Sequence, residues 1–361
     1  MIRFDLINND DDLNKKSREW FRETEVAIDL ECENNLHHYG TTLSIIQIST
    51  NDKNWIVDML SINNPKPLVD LFINKNIVKV FHDVSFDFRI LQEVLHCVPK
   101  NVFDTSLGAQ LIGWKPVGLG SLLEKHFNVS QEKKFQKADW LKRPMSKEML
   151  SYAVRDTAYS LKLKRLIENQ LVRKGRLKWA KEEFLALENA NYVVEPQTHL
   201  SIRGAGTLNS HQKNVLKAIY DEREKIAKKL DRPVYFIISN KLMLDLAKNP
   251  PNSVKQWERL KGVHPLIKRR ADVLFSAIIN VKEGVEKVKR ERPKRLSAEQ
   301  AEKLGELVKL RNELAEKLGI DGHLIIKKED LIRLVTGQTM NILKKWQKEL
   351  LRDRFSGILS S

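Results

Sequence analysis

Residues 26–31 read Val-Ala-Ile-Asp-Leu-Glu, an apolar run that ends on two carboxylates. A short apolar run bounded by charges predicts a buried β-strand. Side chains alternate between the two faces of a strand, so Asp29 and Glu31 share one face and Leu30 points to the other. Two carboxylates at the end of a buried strand repel each other, and a divalent cation between them relieves that repulsion. A solvated strand end with an ordinary acidic pair is the alternative interpretation.

The segments that follow this run alternate between strand-like and helix-like patterns. Strands are predicted at residues 42–49, 54–57 and 77–82, and helices at residues 67–74 and 85–95. A strand-to-helix step follows at residues 102–105, and residues 119–167 are mostly helical, with a polar loop around residues 130–139. Strands that come first and then alternate with helices predict an α/β sandwich around a mixed sheet.

The predicted strands stop near residue 200, and helical patterns take over. We expect an α/β domain at residues 1–200, a small helical domain at 204–283, a charged linker at 284–296 and a second helical domain at 297–361. The order of long, short and final helix is the same in both helical domains. The second is therefore interpreted as a degenerate copy of the first.

Length and charge agree with a chain of several domains that binds a polyanion. The 361 residues exceed one typical domain. The formal net charge is +16, and residues 1–200 hold 28 Lys and Arg against 27 Asp and Glu, whereas residues 201–361 hold 35 against 20. A basic region of this kind usually binds nucleic acid, and solvated helix surfaces are the alternative.

Two other classes of protein are disfavoured by the sequence. No apolar stretch reaches the roughly 20 residues that span a membrane, and residues 1–12, which are acidic and polar, are not expected to form a secretory signal. We therefore expect a cytoplasmic protein. Cys32 and Cys97 do not make a disulfide framework, and both are expected to be reduced and mostly buried.

Further acidic residues lie at positions that suit a ligand site. Asp87 follows the predicted strand at residues 77–82 and falls in the first turn of the next helix, where the ligand sites of α/β folds gather. Tyr152 and Asp156 are four residues apart on a predicted helix and share a face. Each feature alone has an ordinary explanation, since the helix dipole favours Asp in a first turn and a buried Tyr followed by Asp is common in helices.

Taken together, the order Asp-x-Glu, Asp and Tyr-x-x-x-Asp resembles the DEDD exonuclease superfamily in its tyrosine subgroup. Residues 43–49 (LSIIQIS), 81–88 (FHDVSFDF) and 138–149 (ADWLKRPMSKEM) resemble the ribonuclease D family in particular. Residues 204–281 resemble the helical HRDC domain, with DRP at 231–233, IIS at 237–239 and GV at 262–263. Residues 297–357 look like the weaker second HRDC copy of that family, including WQKELL at 346–351. The resemblance implies a ribonuclease H-like α/β exonuclease domain with a mixed sheet, followed by two small all-α HRDC-like domains.

The resemblance also implies a set of catalytic residues. Carried over by position, Asp29, Glu31, Asp87 and Asp156 become ligands of two divalent ions, Mg²⁺ or Mn²⁺, and Tyr152 orients the attacking water. One ion is expected to be bound mainly by Asp29, Glu31 and Asp156, and the other mainly by Asp29, with Asp87 acting through coordinated waters.

The sequence departs from the family pattern beside this set. The family usually has Asp-Thr-Glu-Phe where this chain has Asp-Leu-Glu-Cys. Glu33 creates a second candidate pair, Glu31 with Glu33. The pair with Asp29 is preferred because Asp29 directly ends the apolar run.

Four residues are weaker candidates for binding substrate. The resemblance places His82 near the 3′-terminal nucleotide and Gln47 beside the site. Lys142 and Arg143 lie just before the helix of Tyr152, where they are candidates for phosphate contacts. The alternatives are a structural histidine at a strand end and a solvated basic face. Two further residues, Asp104 and Asp139, are interpreted as structural.

The activity implied by the resemblance is that of a 3′→5′ exoribonuclease that hydrolyses nucleoside 5′-monophosphates from RNA 3′ ends. Precursors of tRNA with single-stranded 3′ tails and other stable RNAs are the expected substrates, and a monomer is the expected state. Two alternatives stay open. One is a 3′→5′ exonuclease that acts on DNA, since metal chemistry does not distinguish the two polymers. The other is a non-catalytic RNA-binding adaptor.

Overall fold

The computed structural model describes residues 2–130, 134–279 and 296–360. Six strands form one sheet in the N-terminal domain: β1 (Asp5–Ile7), β2 (Glu25–Asn34), β3 (Thr41–Ser49), β4 (Asn54–Asp58), β5 (Val78–Phe81) and β6 (Val102–Asp104). Their spatial order is β1-β4-β3-β2-β5-β6. The helices of this domain are α1 (Asp10–Trp20), α2 (Lys66–Ile73), α3 (Ser85–Leu95), α4 (Thr105–Ile112), α5 (Leu119–Phe127), α6 (Lys147–Ala158), α7 (Ser160–Arg173) and α8 (Leu177–Glu188).

The sheet is mixed, which confirms the predicted fold class. β2, β3 and β4 form an antiparallel meander, and β1, β5 and β6 each pair in parallel with their neighbours. The β2–β3 register sets Asp29 opposite Gln47, and a bulge follows between Glu31 and Cys32. Since directly paired residues share a face of the sheet, Gln47 projects to the same side as Asp29.

Alternation along β3 divides the core between the two faces of the sheet. Ile46 and Ile48 pack with Trp20 of α1 in one cluster. Ile45 packs on the opposite face with Tyr152 of α6 in another cluster. Helix α6 therefore covers the face that carries Asp29.

The structure extends the sequence-based assignment at two places. β1 and α1 were not predicted, because the first twelve residues are acidic and polar; α1 nevertheless buries Leu13 and Trp20, and the side chain of Asn9 caps its first turn. β2 continues to Asn34, beyond the apolar run, because the polar half of the strand still pairs with β3. The carboxylates of Asp29 and Glu31 therefore lie within a strand rather than at its end.

A first helical unit follows the α/β domain. Its helices are α9 (Ser210–Leu230), α10 (Val234–Ile237), α11 (Asn240–Lys248), α12 (Val254–Glu258), α13 (Pro265–Arg269) and α14 (Ala271–Ile279). Apolar side chains from α9 and α11 to α14, including the fully buried Trp257, form one core. The only pairing outside the sheet in the described residues is a single bridge between Ile238 and Val263.

A second helical unit repeats the beginning of the first. It consists of α15 (Ala298–Leu318), α16 (Gly322–Ile325), α17 (Lys328–Val335) and α18 (Lys345–Ser360). Like α9, α15 spans 21 residues and starts with a capping box, made by Asn209 in α9 and by Ser297 in α15. Both helices are followed by a helix of four residues, whose C-caps Ile238 and Ile326 have the same extended backbone. The charged linker predicted at residues 284–296 lies, apart from its last residue, outside the described residues.

The first helical unit contacts the tip of the β2–β3 hairpin. The two ring nitrogens of His38 lie 2.6 Å from Oδ2 of Asp231, which follows α9, and 3.3 Å from Oδ2 of Asp139. The pKa of His38 is raised, first by the bond to Asp231. Next to it, the Tyr39 hydroxyl donates to Glu224 of α9. The tip thus joins α9 to the loop that precedes α6.

The second helical unit docks on α4 and α8. The guanidinium of Arg176 donates to the Leu111 carbonyl oxygen near the end of α4 and to the Leu318 carbonyl oxygen at the end of α15. One buried arginine therefore satisfies carbonyls at the C-termini of two helices that belong to different domains. Gly113 faces the carbonyl oxygen of Gly319, and a side chain at Gly113 would collide with it.

Among the described residues, none of the helices combines the length and the apolar character needed to cross a membrane.

Candidate active site

Three carboxylates from two elements converge on one side of the sheet. Asp29 and Glu31 come from β2, and Asp156 comes from α6. One carboxylate oxygen of each lies within 4.8 Å of the others. Oxygen ligands at this spacing suit a hard divalent cation such as Mg²⁺ or Mn²⁺. The donor set therefore fits a metal centre, which we call the acidic cluster (Asp29, Glu31 and Asp156).

Local contacts fix α6 over the acidic cluster. The Ser146 hydroxyl caps the helix by accepting from the Met149 N–H. Near the other end, the hydroxyls of Thr157 and Ser49 on β3 lie 2.6 Å apart in a hydrogen bond. Because these contacts hold both ends of the helix, Asp156 is presented to β2 by a rigid support.

Asp87 approaches from α3. It lies in the first turn of that helix and is 7% exposed. Burial raises its pKa, and the neighbouring charge of Asp29 raises it further. Asp87 thus lies near Asp29 but outside the acidic cluster, and its role through coordinated water stays a prediction.

The turn before α3 is held by Asp104. This carboxylate accepts hydrogen bonds from the backbone N–H groups of Asp83 and Val84 and, as the N-cap of α4, from those of Ser106 and Leu107. The structural role predicted for Asp104 is therefore confirmed. It positions the helix that carries Asp87.

The crowded carboxyl groups resist ionisation. Burial raises the pKa of Asp29 to about 6. The pKa of Glu31 is raised well above its usual value by burial and then by the charges of Asp29, Asp156 and Asp87. Burial and the charge of Asp29 likewise raise the pKa of Asp156. A bound dication would reverse this, since positive charge favours the ionised form of each group.

Tyr152 lies beside the acidic cluster, one helical turn before Asp156. Its side chain is 8% exposed and contacts the rings of Phe135 and Trp140. Burial and the charge of Asp156 raise the pKa of its hydroxyl. The group is therefore a neutral phenol, able to donate or accept one hydrogen bond at physiological pH.

His82 lies just beyond β5 and is held by the chain. Its Nδ1 lies 2.9 Å from the Thr105 hydroxyl, and the ring also bonds to the backbone of Val117. Burial lowers the pKa of His82 to about 4. The ring is thus neutral at physiological pH, and its electrostatic attraction for phosphate is correspondingly small.

Lys142 and Arg143 have different surroundings in the structure. Lys142 is exposed, as a phosphate contact requires. Arg143 instead forms a two-point ion pair with Asp58, with nitrogen-to-oxygen distances of 2.8 and 2.6 Å. It also donates to the Trp140 carbonyl and to the Ser44 hydroxyl. The prediction that Arg143 contacts phosphate is therefore wrong, because its donors are engaged within the protein.

Glu33 and Gln47 are both buried, at 2% and 0% exposed. The buried Glu33 carboxylate accepts from the backbone N–H groups of Leu36 and His37 and so stabilises the hairpin turn. It is not part of a metal pair with Glu31. Gln47 has no exposed surface, so a direct contact with substrate is excluded.

An exposed aromatic residue at the rim of the site escaped the sequence analysis. Phe86 precedes Asp87, is 43% exposed and lies 4.9 Å from the Arg89 guanidinium. An exposed ring is chemically suited to stacking on a nucleobase. Helical periodicity was the available signal, since Phe88 and Leu91 define the buried side of α3 and leave position 86 outside it.

Comparisons with known proteins agree with this geometry. A family model described as 3′-5′ exonuclease matches residues 4–172, and an HRDC domain model matches residues 212–278. The chain is 26% identical over 366 residues to ribonuclease D of Desulfotalea psychrophila, covering 98% of each chain. This chain is a ribonuclease D homologue. It combines a DEDD 3′-5′ exonuclease domain with an HRDC domain, and it is a hydrolytic nuclease.

Two further comparisons show how far the similarity of this ribonuclease D homologue extends. The crystal structure of Escherichia coli RNase D superposes with a TM-score of 0.76 over 99% of both chains at 20% identity, which shows the same fold. The exosome complex exonuclease RRP6 of Saccharomyces cerevisiae is 29% identical over 276 residues, which cover 70% of this chain and 37% of that protein. DEDD exonucleases depend on divalent metal ions, and this homologue carries an acidic cluster able to hold one.

Proposed function

We propose that the protein is a metal-dependent 3′→5′ exoribonuclease that releases nucleoside 5′-monophosphates from RNA 3′ ends. The observation that carries the proposal is the convergence of Asp29, Glu31 and Asp156 within 4.8 Å beside the phenol of Tyr152. RNA as the polymer is supported by the similarity to ribonuclease D over almost the whole chain.

Two divalent ions, Mg²⁺ or Mn²⁺, fit the proposed site. Asp29, Glu31 and Asp156 would hold one, and Asp29 would hold the other, with Asp87 contributing through water. When bound, a pair of such ions lowers the pKa of the attacking water and offsets the charge on the leaving oxygen. The four carboxylates together balance the charge of two dications.

Side chains around the acidic cluster have separate proposed tasks. The Tyr152 hydroxyl orients the attacking water by one hydrogen bond, because its raised pKa keeps it protonated. His82, neutral and held by Thr105, contacts the 3′-terminal nucleotide through its shape and hydrogen-bonding capacity rather than through charge. The exposed Lys142 binds a phosphate of the incoming strand.

The helical units are proposed to hold the RNA outside the active site. Their basic excess attracts the phosphate backbone, and none of their sequence indicates base-specific recognition. We propose that residues 204–283 form an HRDC domain and that residues 297–361 form a second, degenerate copy, in view of the shared order and capping of their helices. Precursors of tRNA and other stable RNAs with single-stranded 3′ tails are the proposed substrates of a monomeric, cytoplasmic enzyme.

The test uses a 5′-labelled RNA with a single-stranded 3′ tail, incubated with Mg²⁺ or Mn²⁺. A ladder that shortens from the 3′ end, and disappears with EDTA or in Asp29→Asn, is the expected result. Asp70→Asn is the matched control, because Asp70 lies in a surface ion pair with Lys66. Intact RNA with a retained band shift would instead favour an RNA-binding adaptor. Faster cleavage of a DNA with the same sequence would favour the exonuclease that acts on DNA.

A further inference from the structure

Gln47 lies under the acidic cluster, on the strand next to it. It sits on β3 directly opposite Asp29 of β2 and opposite Ile56 of β4. Paired residues of antiparallel strands share a face, with Cβ atoms about 5 Å apart. The amide of Gln47 therefore projects to the side of the sheet that carries the acidic cluster.

The neighbours of Gln47 on β3 contact α6 and show which turn of that helix lies over Gln47. Two residues before it, Ile45 belongs to the apolar cluster that contains Tyr152. Two residues after it, the Ser49 hydroxyl bonds to that of Thr157 at 2.6 Å. The turn of α6 between Tyr152 and Thr157 carries Asp156, so Gln47 lies below that turn and directly beside Asp29.

The amide of Gln47 is buried and has no partner. The residue is 0% exposed, and within the described residues neither its Nε2 nor its Oε1 forms a hydrogen bond. A buried amide that lacks partners costs free energy, and such a group in a native structure calls for a specific partner. The surrounding apolar side chains, including Ile45 and Ile56, provide none.

We propose that Gln47 is a positioning residue for the metal site. Its Nε2 would donate to the carboxylates of Asp29 and Asp156 when they hold an ion, and its Oε1 would accept from water bound at the site. Each orphaned atom then gains a partner when the site is loaded. This inference rests on the proposed metal site, and it replaces the expectation that Gln47 touches substrate.

The proposal assigns Gln47 an effect on metal affinity that does not depend on turnover. Removal of a residue that hydrogen-bonds to a metal ligand typically lowers metal affinity about 10- to 100-fold. Gln47→Met keeps the length of the side chain and removes both polar atoms. Gln47→Asn keeps the amide and draws it back by one methylene group, out of reach of the carboxylates.

The experiment measures the Kd of Mn²⁺ by calorimetry on the full chain, without RNA, after EDTA treatment and dialysis. Gln47→Met is expected to weaken Mn²⁺ binding 10- to 100-fold and to reduce the rise in melting temperature that Mn²⁺ produces. Gln110→Met is the matched control, because the amide of Gln110 bonds to Ser106 on α4. This substitution should leave the Kd of Mn²⁺ unchanged. Should Gln47→Met fail to fold, Gln47→Asn decides the matter by the same measurements.

A Kd within twofold of the wild type in a folded Gln47 variant would overturn the inference. A variant that melts earlier without metal, yet gains as much from Mn²⁺ as the wild type, would also overturn it, because packing alone predicts that result. Failure of the proposed function has a different signature. If wild-type protein binds Mn²⁺ and loses it in Asp29→Asn but degrades no RNA, the exoribonuclease proposal fails while the Gln47 effect stands.

Discussion

The indole ring of Trp179 on α8 stacks on that of Trp346 on α18, with ring centroids 4.6 Å apart and an interplanar angle of 20°. The Trp346 indole N–H also donates to Glu183 of α8. Trp346 is 1% exposed, so the second helical unit completes part of its core with residues of the exonuclease domain.

Replacement of Trp346 by alanine is expected to destabilise this junction. Loss of a buried tryptophan side chain costs about 3–5 kcal/mol, here together with the stack on Trp179. The variant should unfold at lower urea, with a separate early transition for the second helical unit. Urea titration followed by far-ultraviolet circular dichroism measures this, and Ile342→Ala is the control, because Ile342 is 37% exposed. Coincident unfolding of variant and wild type would show that the junction contributes little.

Arg143 is expected to govern stability rather than RNA affinity. Arg143→Ala leaves Asp58, whose side chain is 9% exposed, without its partner. Breaking a buried ion pair in this way costs about 3–5 kcal/mol, somewhat less here because Arg143 is 25% exposed. The salt dependence of RNA binding should stay that of the wild type.

Lys142→Ala is expected to affect RNA binding rather than stability, the opposite of Arg143→Ala. Within the part of the chain that the structure describes, its exposed ammonium group has no partner to lose, so the melting temperature should change little. RNA binding should weaken. The slope of log Kd against log salt concentration should fall by about the amount that one phosphate contact contributes. Filter binding at several salt concentrations compares the two variants. A salt slope that changes for Arg143 and not for Lys142 would reverse the assignment.

Tyr152→Phe is expected to slow hydrolysis without preventing metal binding. The ring keeps its packing against Phe135 and Trp140, and only the hydroxyl that orients water is lost. A fall in kcat of roughly 100-fold with little change in KM is the expected result. Single-turnover cleavage with saturating Mn²⁺ gives the rate of the chemical step. A wild-type rate there would remove the hydroxyl from the mechanism.

The metal-free protein should be more stable in mild acid than at neutral pH. The folded-state pKa of Asp29 is about 6 against a usual 3.8, and those of Glu31 and Asp156 are also raised. A raised carboxyl pKa means that the folded state binds protons more tightly, so stability is present near pH 4 and is lost as pH rises through about 6 and above.

Melting temperatures in EDTA between pH 4.5 and 8 test this dependence. The melting temperature should fall across the range, and Mg²⁺ should restore it at the alkaline end by neutralising the same carboxylates. Asp29→Asn should flatten the profile, because the amide does not ionise. An unchanged profile in that variant would assign the pH effect to other groups.

The sequence predicted five of the six strands in the described sheet, β2 to β6, and two local pairs of site residues, because these follow from local rules. That the two pairs meet was implied only by the family resemblance. Strand alternation puts Asp29 and Glu31 on one face, and helical spacing puts Tyr152 and Asp156 together. The structure brings three of these residues into one cluster. Their assignment as metal ligands stays a prediction.

What the sequence did not reveal depends on contacts between distant segments. Arg143 reads as a surface cation until Asp58, 85 positions earlier, is seen beside it. Gln47 reads as a polar residue near the site, whereas the packing of α6 closes it off completely. The role of His38 needs both Asp139 and Asp231, which no local pattern connects.

The β2–β3 hairpin serves two neighbours at once, since its middle carries Asp29 and its tip holds His38 between Asp139 and Asp231. An HRDC domain transplanted from another nuclease would meet a tip shaped for Asp231 and Glu224. In such a chimera the hairpin tip and the helical domain have to be exchanged together. In this protein the practical unit of recombination is therefore a pair of segments about 190 positions apart rather than a continuous stretch of chain.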